Sequence, residues 1–227
     1  MRLGKRIFDC VCATALALLI LPWIGWIAFR VWRQGDGPIL YRAERMRGLD
    51  RPFTLYKFRT MSHHSREEIG VTGGDKIDRI TPYGAKLRRR HLDELPQLWN
   101  VIRGDISFVG PRPPLREFTE RFPEVYGQIL NDRPGVTGLA TLLYNNTEET
   151  LLAQCGTPEQ TDETYCTRCI PAKARLDLFY QQKASFGLDL WIIGTTLRQI
   201  FSKEPSSRQV QKRKSSARAP VPLLTSS

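Results

Sequence analysis

Lys86-Leu87-Arg88-Arg89-Arg90-His91-Leu92-Asp93-Glu94-Leu95-Pro96-Gln97-Leu98-Trp99-Asn100 is the stretch on which the reading of this chain turns. Pro96 disfavours an uninterrupted helix and suits the first turn of a new one. Leu95, Leu98, Trp99 and Ile102 then form the apolar face of that helix. Asp93 and Glu94 therefore sit just ahead of, or at, a helix N-terminus. Taken alone they read as a cap that complements the helix dipole, worth about 1 kcal/mol. Their surroundings change that reading. Lys57, Arg59, Arg88, Arg89, Arg90 and Arg112 supply cations, and arginine grips phosphate through a planar fork. Free N–H groups at a helix start also bind phosphate. Adjacent carboxylates make a seat for Mg²⁺ beside substrate phosphates. Cations remove the repulsion a carboxylate meets when it attacks a phosphate, and aspartate is an established covalent nucleophile for phosphoryl groups. The residues by themselves point to a phosphate-handling site with a divalent metal.

Upstream, Ile39-Leu40-Tyr41 and Phe53 to Phe58 are β-prone and bracket Gly48-Leu49-Asp50, which predicts a hairpin. Gln34 to Pro38 is a turn cluster. Residues 62–77 are polar, contain Gly73 and Gly74, and read as a loop in which His63 and His64 are solvated. Tyr83 to Arg90 is helical in pattern. Downstream, Asp105 to Pro114 reads as a Gly/Pro-punctuated loop, and Pro114 to Leu130 as a helix broken at Pro123. Pro134-Gly135 and Gly138 read as a turn. Thr147 to Thr164 reads as irregular after a short helical pattern, and Pro171 to Lys183 as helix. Ser185 to Phe201 carries Phe186, Leu190, Ile193, Leu197 and Ile200 at helical spacing, with Trp191 beside them. That amphipathic helix either packs on the core or lies on a membrane.

The beginning of the chain is different in character. Cys10 to Phe29 is twenty residues without a charge, bounded by Lys5, Arg6 and Asp9 on one side and by Arg30 and Arg33 on the other. Twenty helical residues are long enough for a bilayer's hydrocarbon core. A cleavable signal peptide fits less well, because the run is long for one and no small-residue cleavage site accompanies it. Basic residues at both ends draw both ends to the cytoplasm. Pro22 near the middle removes a helix hydrogen bond and clashes with the Leu18 carbonyl. A helix that bends at Pro22 and returns on the same face satisfies both observations, and the re-entrant form is preferred to a straight span. The bend needs its freed carbonyl paired. Trp23 and Trp26 beside it are unexpected at a deep apex, since indoles prefer the interface.

Net charge is +11, which calls for an anionic partner: nucleic acid, an anionic membrane surface or a phosphorylated substrate. Part of that charge lies in the tail, at Lys212, Arg213 and Lys214. Five cysteines are an odd number and do not make a secreted disulfide framework. Cys166 and Cys169 with Cys155 lack a fourth ligand for zinc, so free or opportunistically oxidised thiols are the better reading.

Five stretches resemble the bacterial sugar transferases, the monotopic polyprenyl-phosphate phosphoglycosyltransferases. They are KRIFDCVCA (5–13), PFTLYKFRTM (52–61), LRRRHLDELPQLWNVIRGDISFVGPRP (87–113), RPGVTGLA (133–140) and LDLFYQQKASFGLDLWIIGTTL (176–197). They cover most of residues 5–200 in family order. The resemblance implies transfer of a sugar 1-phosphate from a nucleotide sugar, a UDP sugar, to polyprenyl (undecaprenyl) phosphate, the first membrane step of surface polysaccharide or glycoconjugate assembly. Asp93 is then the nucleophile of a covalent phosphosugar intermediate and Glu94 its partner. Mg²⁺ bridges the pair and the diphosphate, while Lys57, Arg59, Arg88 and Arg112 hold phosphate. Pro22 matches the family's membrane bend, although Leu21 stands where relatives often carry serine. After Gly138 the chain has Leu-Ala-Thr-Leu in place of the Trp-Ala-Gln-Val-like run of many relatives.

The expected architecture is α+β and mainly helical, in three parts. Residues 1–33 are a re-entrant membrane helix with its flanks. Residues 34–202 are a compact cytosolic catalytic core with a short β-hairpin and interfacial amphipathic helices. Residues 203–227 are a disordered basic tail. The expected place is the cytoplasmic face of the bacterial inner membrane, with membrane lipid as a partner and nucleic acid not one. A homodimer is compatible with all of this. The competing reading, a non-catalytic basic module that binds acidic lipid or scaffolds pathway enzymes, leaves the acidic pair without a role.

Overall fold

The computed structural model describes residues 3–35, 37–62 and 79–202. The expectations for His63 and His64, for the rest of the polar loop through residue 77, and for the 203–227 tail lie outside the described residues. Most of the described chain is helical, around a small amount of sheet.

Helices α1 (Leu3–Leu19) and α2 (Leu21–Trp32) meet at 64°. Neither is long and apolar enough alone to cross a membrane; the bent pair together has the length and composition. Pro22 falls in the first turn of α2 rather than inside one continuous helix, where its missing N–H costs nothing. Backbone bonds from Ile20 N to Leu16 O (3.0 Å) and from Ile24 N to Ile20 O (2.9 Å) carry the ladder around the corner.

Strands β1 (Leu40–Met46) and β2 (Pro52–Phe58) form the expected antiparallel hairpin, paired from Leu40–Phe58 to Met46–Pro52. Phe53 and Leu55 point inward onto Ala13 of α1 and onto Leu98 and Val101 of α4 (Gln97–Arg103). Helix α3 (Pro82–Arg89) starts where Thr81 Oγ1 accepts from Gly84 N at 2.9 Å, a side-chain cap with proline in the first turn. A Cβ at Gly84 would lie 2.1 Å from Thr60 O, so glycine lets α3 press against the end of β2.

The 105–114 and 134–138 stretches, expected to be loop and turn, contain a short parallel pair, β3 (Ser107–Val109) and β4 (Gly135–Thr137). Three residues are too few to show strand periodicity. The glycines were the available sign, since a Cβ at Gly135 would fall 2.1 Å from Gly110 N, and glycine in a strand marks close backbone approach. Helices α5 (Arg116–Arg121) and α6 (Pro123–Ile129) break at Pro123 as expected.

The 147–164 region is not irregular. Helix α7 runs Leu139–Leu152, and α8 (Pro158–Thr164) begins at Thr157, whose hydroxyl accepts from Gln160 N at 3.3 Å. The second half of α7 and all of α8 bury no residue completely and are rich in polar side chains, which removed the hydrophobic period. A π-helical turn (Tyr165–Cys169) leads into α9 (Ile170–Lys183). It buries Cys166 and Cys169, and all five cysteines are free. In α10 (Phe186–Ser202) the apolar stripe is largely turned outward: Phe186, Leu190, Trp191 and Leu197 are exposed, while Asp189 and Ile192 face the core.

Candidate active site

The acidic pair is positioned from two sides. Behind it, Asn100 is fully buried and stitches α4 to the hairpin. Its Oδ1 accepts from Tyr56 N (3.2 Å), and its Nδ2 donates to Thr54 O (2.7 Å) and Asp105 Oδ2 (3.1 Å). Ahead of it, His91 takes φ 52°, ψ 22° and turns the chain out of α3 into a 3₁₀ turn, Leu92–Glu94. A side-chain-bearing residue in the left-handed region is uncommon, and here it sits two residues before Asp93.

Lys57 Nζ, from β2, donates to Glu94 Oε1 at 2.6 Å, and Arg112 Nη2 lies 3.6 Å from the same oxygen. Arg88 Nε donates to Thr60 Oγ1 at 2.7 Å, and its charge acts on Asp93. Burial, followed by the neighbouring Glu94 charge, pushes the Asp93 carboxyl up, with Lys57 and Arg88 pulling partly back. Burial also pushes Glu94 up, but Arg112, Lys57 and His91 outweigh it and hold that carboxyl below its ordinary value. Two adjacent carboxylates are thus driven apart in acidity, the pattern expected of groups with separate roles.

Arg59 is not brought to the pair. It is buried, with Nη2 donating to Val31 O of α2 at 3.1 Å and Nη1 without a partner among the described residues. Pro22 lies at the corner of the α1–α2 bend. Two carboxylates of oxygen donors suit Mg²⁺, which takes one or two carboxylates and completes its shell with substrate phosphates and water. Among the described residues no group of three or more His, Cys, Asp or Glu side chains is placed to hold a metal alone, so Asp93 and Glu94 fit an ion that arrives with a phosphate ligand.

A cavity of about 780 Å³ opens beside Glu94, His91 and Arg112. One side is apolar, with Leu16 of α1, Leu98, Phe108, and Ile193, Leu197 and Ile200 of α10. Another lies between α7 and α9 and is polar. Arg45 also lines it. Nothing in the sequence singles out that arginine, because a charge on a hairpin strand among Arg42 and Glu44 reads as a solvated face.

The sequence reading also missed how α1 is held. Arg6 donates to Val101 O (2.6 Å) and Ile102 O (2.7 Å) at the C-terminal end of α4. Lys5 Nζ pairs with Asp189 (2.5 Å) and bonds Tyr180 OH (3.0 Å). Buried Asp9 accepts from Ser107 Oγ (2.7 Å) and Phe108 N (3.4 Å). These residues, read as membrane flanks, are bolts between α1 and the catalytic core.

The acidic pair is thus split in acidity, with Lys57 and Arg112 on Glu94, and Glu94 and Arg112 line a cavity that is part polar and part apolar. The chain belongs to the bacterial sugar transferase family, whose model matches residues 1–203. It is 30% identical to UDP-N-acetylgalactosamine-undecaprenyl-phosphate N-acetylgalactosaminephosphotransferase of Aeromonas hydrophila, over 87% of this chain and 44% of that protein. It is 36% identical to undecaprenyl-phosphate galactose phosphotransferase of Salmonella typhimurium, over 61% of this chain and 32% of that protein. It is 32% identical to the sugar transferase EpsL of Bacillus subtilis, over 88% of each. The chain therefore spans less than half the length of the first two relatives.

Proposed function

We propose that this protein transfers a sugar 1-phosphate from a UDP sugar to undecaprenyl phosphate through a covalent intermediate on Asp93. The observation that carries the reading is the Asp93–Glu94 pair, with Lys57 and Arg112 on Glu94 and with Glu94 and Arg112 lining a cavity that has an apolar side. Asp93 attacks the phosphorus that bears the sugar. The bond from that phosphorus to the nucleoside monophosphate oxygen breaks, and the monophosphate leaves with the electron pair. An oxygen of undecaprenyl phosphate then attacks the same phosphorus, and Asp93 departs as carboxylate. Lys57 and Arg112 neutralise charge on the phosphoryl oxygens, while Arg88 supports Asp93. Mg²⁺ held by Asp93, Glu94 and the diphosphate would supply further neutralisation. Buried Arg59 would act at one remove, by fixing β2 to α2.

The polyprenyl chain would lie along the apolar side of the cavity. Residues 1–33 would form the re-entrant membrane segment, residues 34–202 the catalytic unit and 203–227 a basic tail, at the cytoplasmic face of the bacterial inner membrane. Two contacts support the topology. The start of α1 is bonded to α4, β3 and α10, and the end of α2 packs Ile27 and Val31 against Phe58 and Leu87. Both ends of the bent pair thus meet the same core, while Leu18, Leu19, Leu21, Trp23 and Trp26 at and near the corner are exposed.

The test is detergent-solubilised enzyme with undecaprenyl phosphate and a panel of UDP sugars, read as release of uridine monophosphate. Expected is release with at least one donor, lost in Asp93→Asn and nearly lost in Glu94→Gln. EDTA should stop turnover and Mg²⁺ restore it. Full activity in Asp93→Asn would overturn the assignment and favour the binding-module reading.

A further inference from the structure

The polar side of the cavity has a composition of its own. Lys173 Nζ donates to Glu148 Oε2 at 2.9 Å and to Tyr165 OH at 3.4 Å, and stands 5.0 Å from the centre of the Tyr165 ring. Asp177, one turn further along α9, lines the same cavity at 6% exposure. Its Oδ1 has no hydrogen-bond partner among the described residues. A buried carboxylate oxygen without a donor is rare and unfavourable, and asks for an explanation. Nothing in the mechanism above uses it.

This group connects to the reaction centre through neighbouring charges. Arg112 touches Glu94, Arg45 feels both Arg112 and Tyr165, and Tyr165 leads to Lys173 and Asp177. A donor whose diphosphate sits at Glu94 and Arg112 projects its remaining parts from there. The apolar side suits the lipid. On the α7–α9 side the Lys173 ammonium is already engaged by Glu148 at 2.9 Å, and Asp177 adds a second carboxyl group, so this side favours an uncharged group over phosphate or carboxylate. Tyr165 there is a poor platform for a base, because it already carries Phe118 (4.9 Å between ring centres) and Lys173. What it does offer are acceptors for O–H and N–H.

We propose that the α7–α9 end of the cavity receives the sugar of the donor, that this sugar is uncharged, and that Asp177 Oδ1 accepts a hydrogen bond from one of its hydroxyl or amide groups. Asp177 is thereby a specificity-determining residue. The proposal rests on the function proposed above; Asp177 itself lies in the 176–197 stretch that resembles relatives, while the α7 wall facing it lies in the segment after Gly138 where the sequence departs from many of them.

The test is calorimetric binding to the full chain in detergent, in an Asp93→Asn background that holds donor without turnover. The probes are UDP, UDP-glucose, UDP-galactose, UDP-N-acetylgalactosamine and UDP-glucuronate. At least one neutral UDP sugar should bind more tightly than UDP, and UDP-glucuronate more weakly than that sugar. Adding Asp177→Ala should weaken the preferred sugar by about ten- to a hundredfold and flatten the ranking of the panel, with UDP affinity unchanged. Asp177→Asn keeps one acceptor oxygen and should recover part of the loss; it also carries the test if the alanine variant does not fold. Equal losses for UDP and its sugars, or an unchanged ranking, would overturn the proposal. If neither UDP nor any UDP sugar binds and no monophosphate is released by the wild type, the proposed function fails and this inference with it. Binding of UDP alone, with no gain from any sugar, overturns only the inference.

Discussion

Asp177→Asn is a substitution at a proposed ligand contact that should make the protein more stable. Burial pushes the Asp177 carboxyl from its ordinary 3.8 up to about 7, with Lys173 and the Ala140 N–H offsetting only part of the effect. The folded protein therefore keeps a proton at Asp177 that the unfolded chain releases near pH 4. Stability contributed here is present below pH 4 and is lost as pH rises to about 7, after which the loss is constant. A gap of about three pH units at ~1.4 kcal/mol each gives roughly 4 kcal/mol as an upper figure. Asparagine removes the charge but leaves an amide that needs its own partners, at a cost of about 1–3 kcal/mol. The net gain above pH 7 is roughly 2 kcal/mol, or about 4–8 °C in Tm for a chain of this size. Thermal unfolding in detergent, followed by tryptophan fluorescence at pH 5 and pH 8, measures it. The variant should gain on the wild type as pH rises. A difference that is the same at both pH values, or a variant less stable at pH 8, would refute the picture of an unpaired buried carboxylate. Lys173 on the same helix, Glu148 on α7 and Tyr126 on α6 are its titratable neighbours, so Lys173→Met should move the same pH profile in the opposite direction.

Lys57→Met leaves Glu94 with Arg112 as its remaining close cation, and turnover should fall at least about a hundredfold in the monophosphate-release assay; a loss under tenfold would remove Lys57 from the site. Asp9→Ala strips the buried partner from Ser107 Oγ and Phe108 N, so unfolding in detergent should show a loss of about 1–3 kcal/mol, and an unchanged Tm would mean that α1 is held by packing alone. Arg59→Met should lower Tm while leaving KM for the donor within about twofold, since its guanidinium bonds α2 and not the acidic pair; a large KM effect at unchanged Tm would put Arg59 back on the phosphate.

Local chemistry was legible and long-range chemistry was not. Pro96 announced the start of α4, Gly48 the hairpin turn, and Pro123 the break between α5 and α6, because each acts within a few residues. The acidic pair and its cations were legible as types, and the structure brings Lys57, Arg88 and Arg112 around Asp93 and Glu94. It sends Arg59 elsewhere: strand alternation alone would set Arg59 on the same face as Lys57, but β2 ends at Phe58 and the Arg59 guanidinium bonds Val31 O of α2. The exposed stripe of α10 shows the same limit: its period was plain, but which face meets the core depends on Lys5, which pairs with Asp189 across 184 positions. Nothing in the sequence sets Asp177 apart within its helix, and only the packing of α6, α7 and α9 makes it buried.

Arg6, Asp9 and Lys5 also dictate an order of assembly. Helix α1 leaves the ribosome before α4, β3 and α10, and it holds side chains whose partners, Val101, Ser107 and Asp189, are made about a hundred to nearly two hundred residues later. Until those partners arrive, the charges of α1 have no protein to bond, and α4, which carries the residues just after Asp93, lacks the donor that closes its last carbonyls. Seating α1 therefore completes the far end of α4, the helix that follows the acidic pair, so the two ends of the chain must meet before that helix is finished.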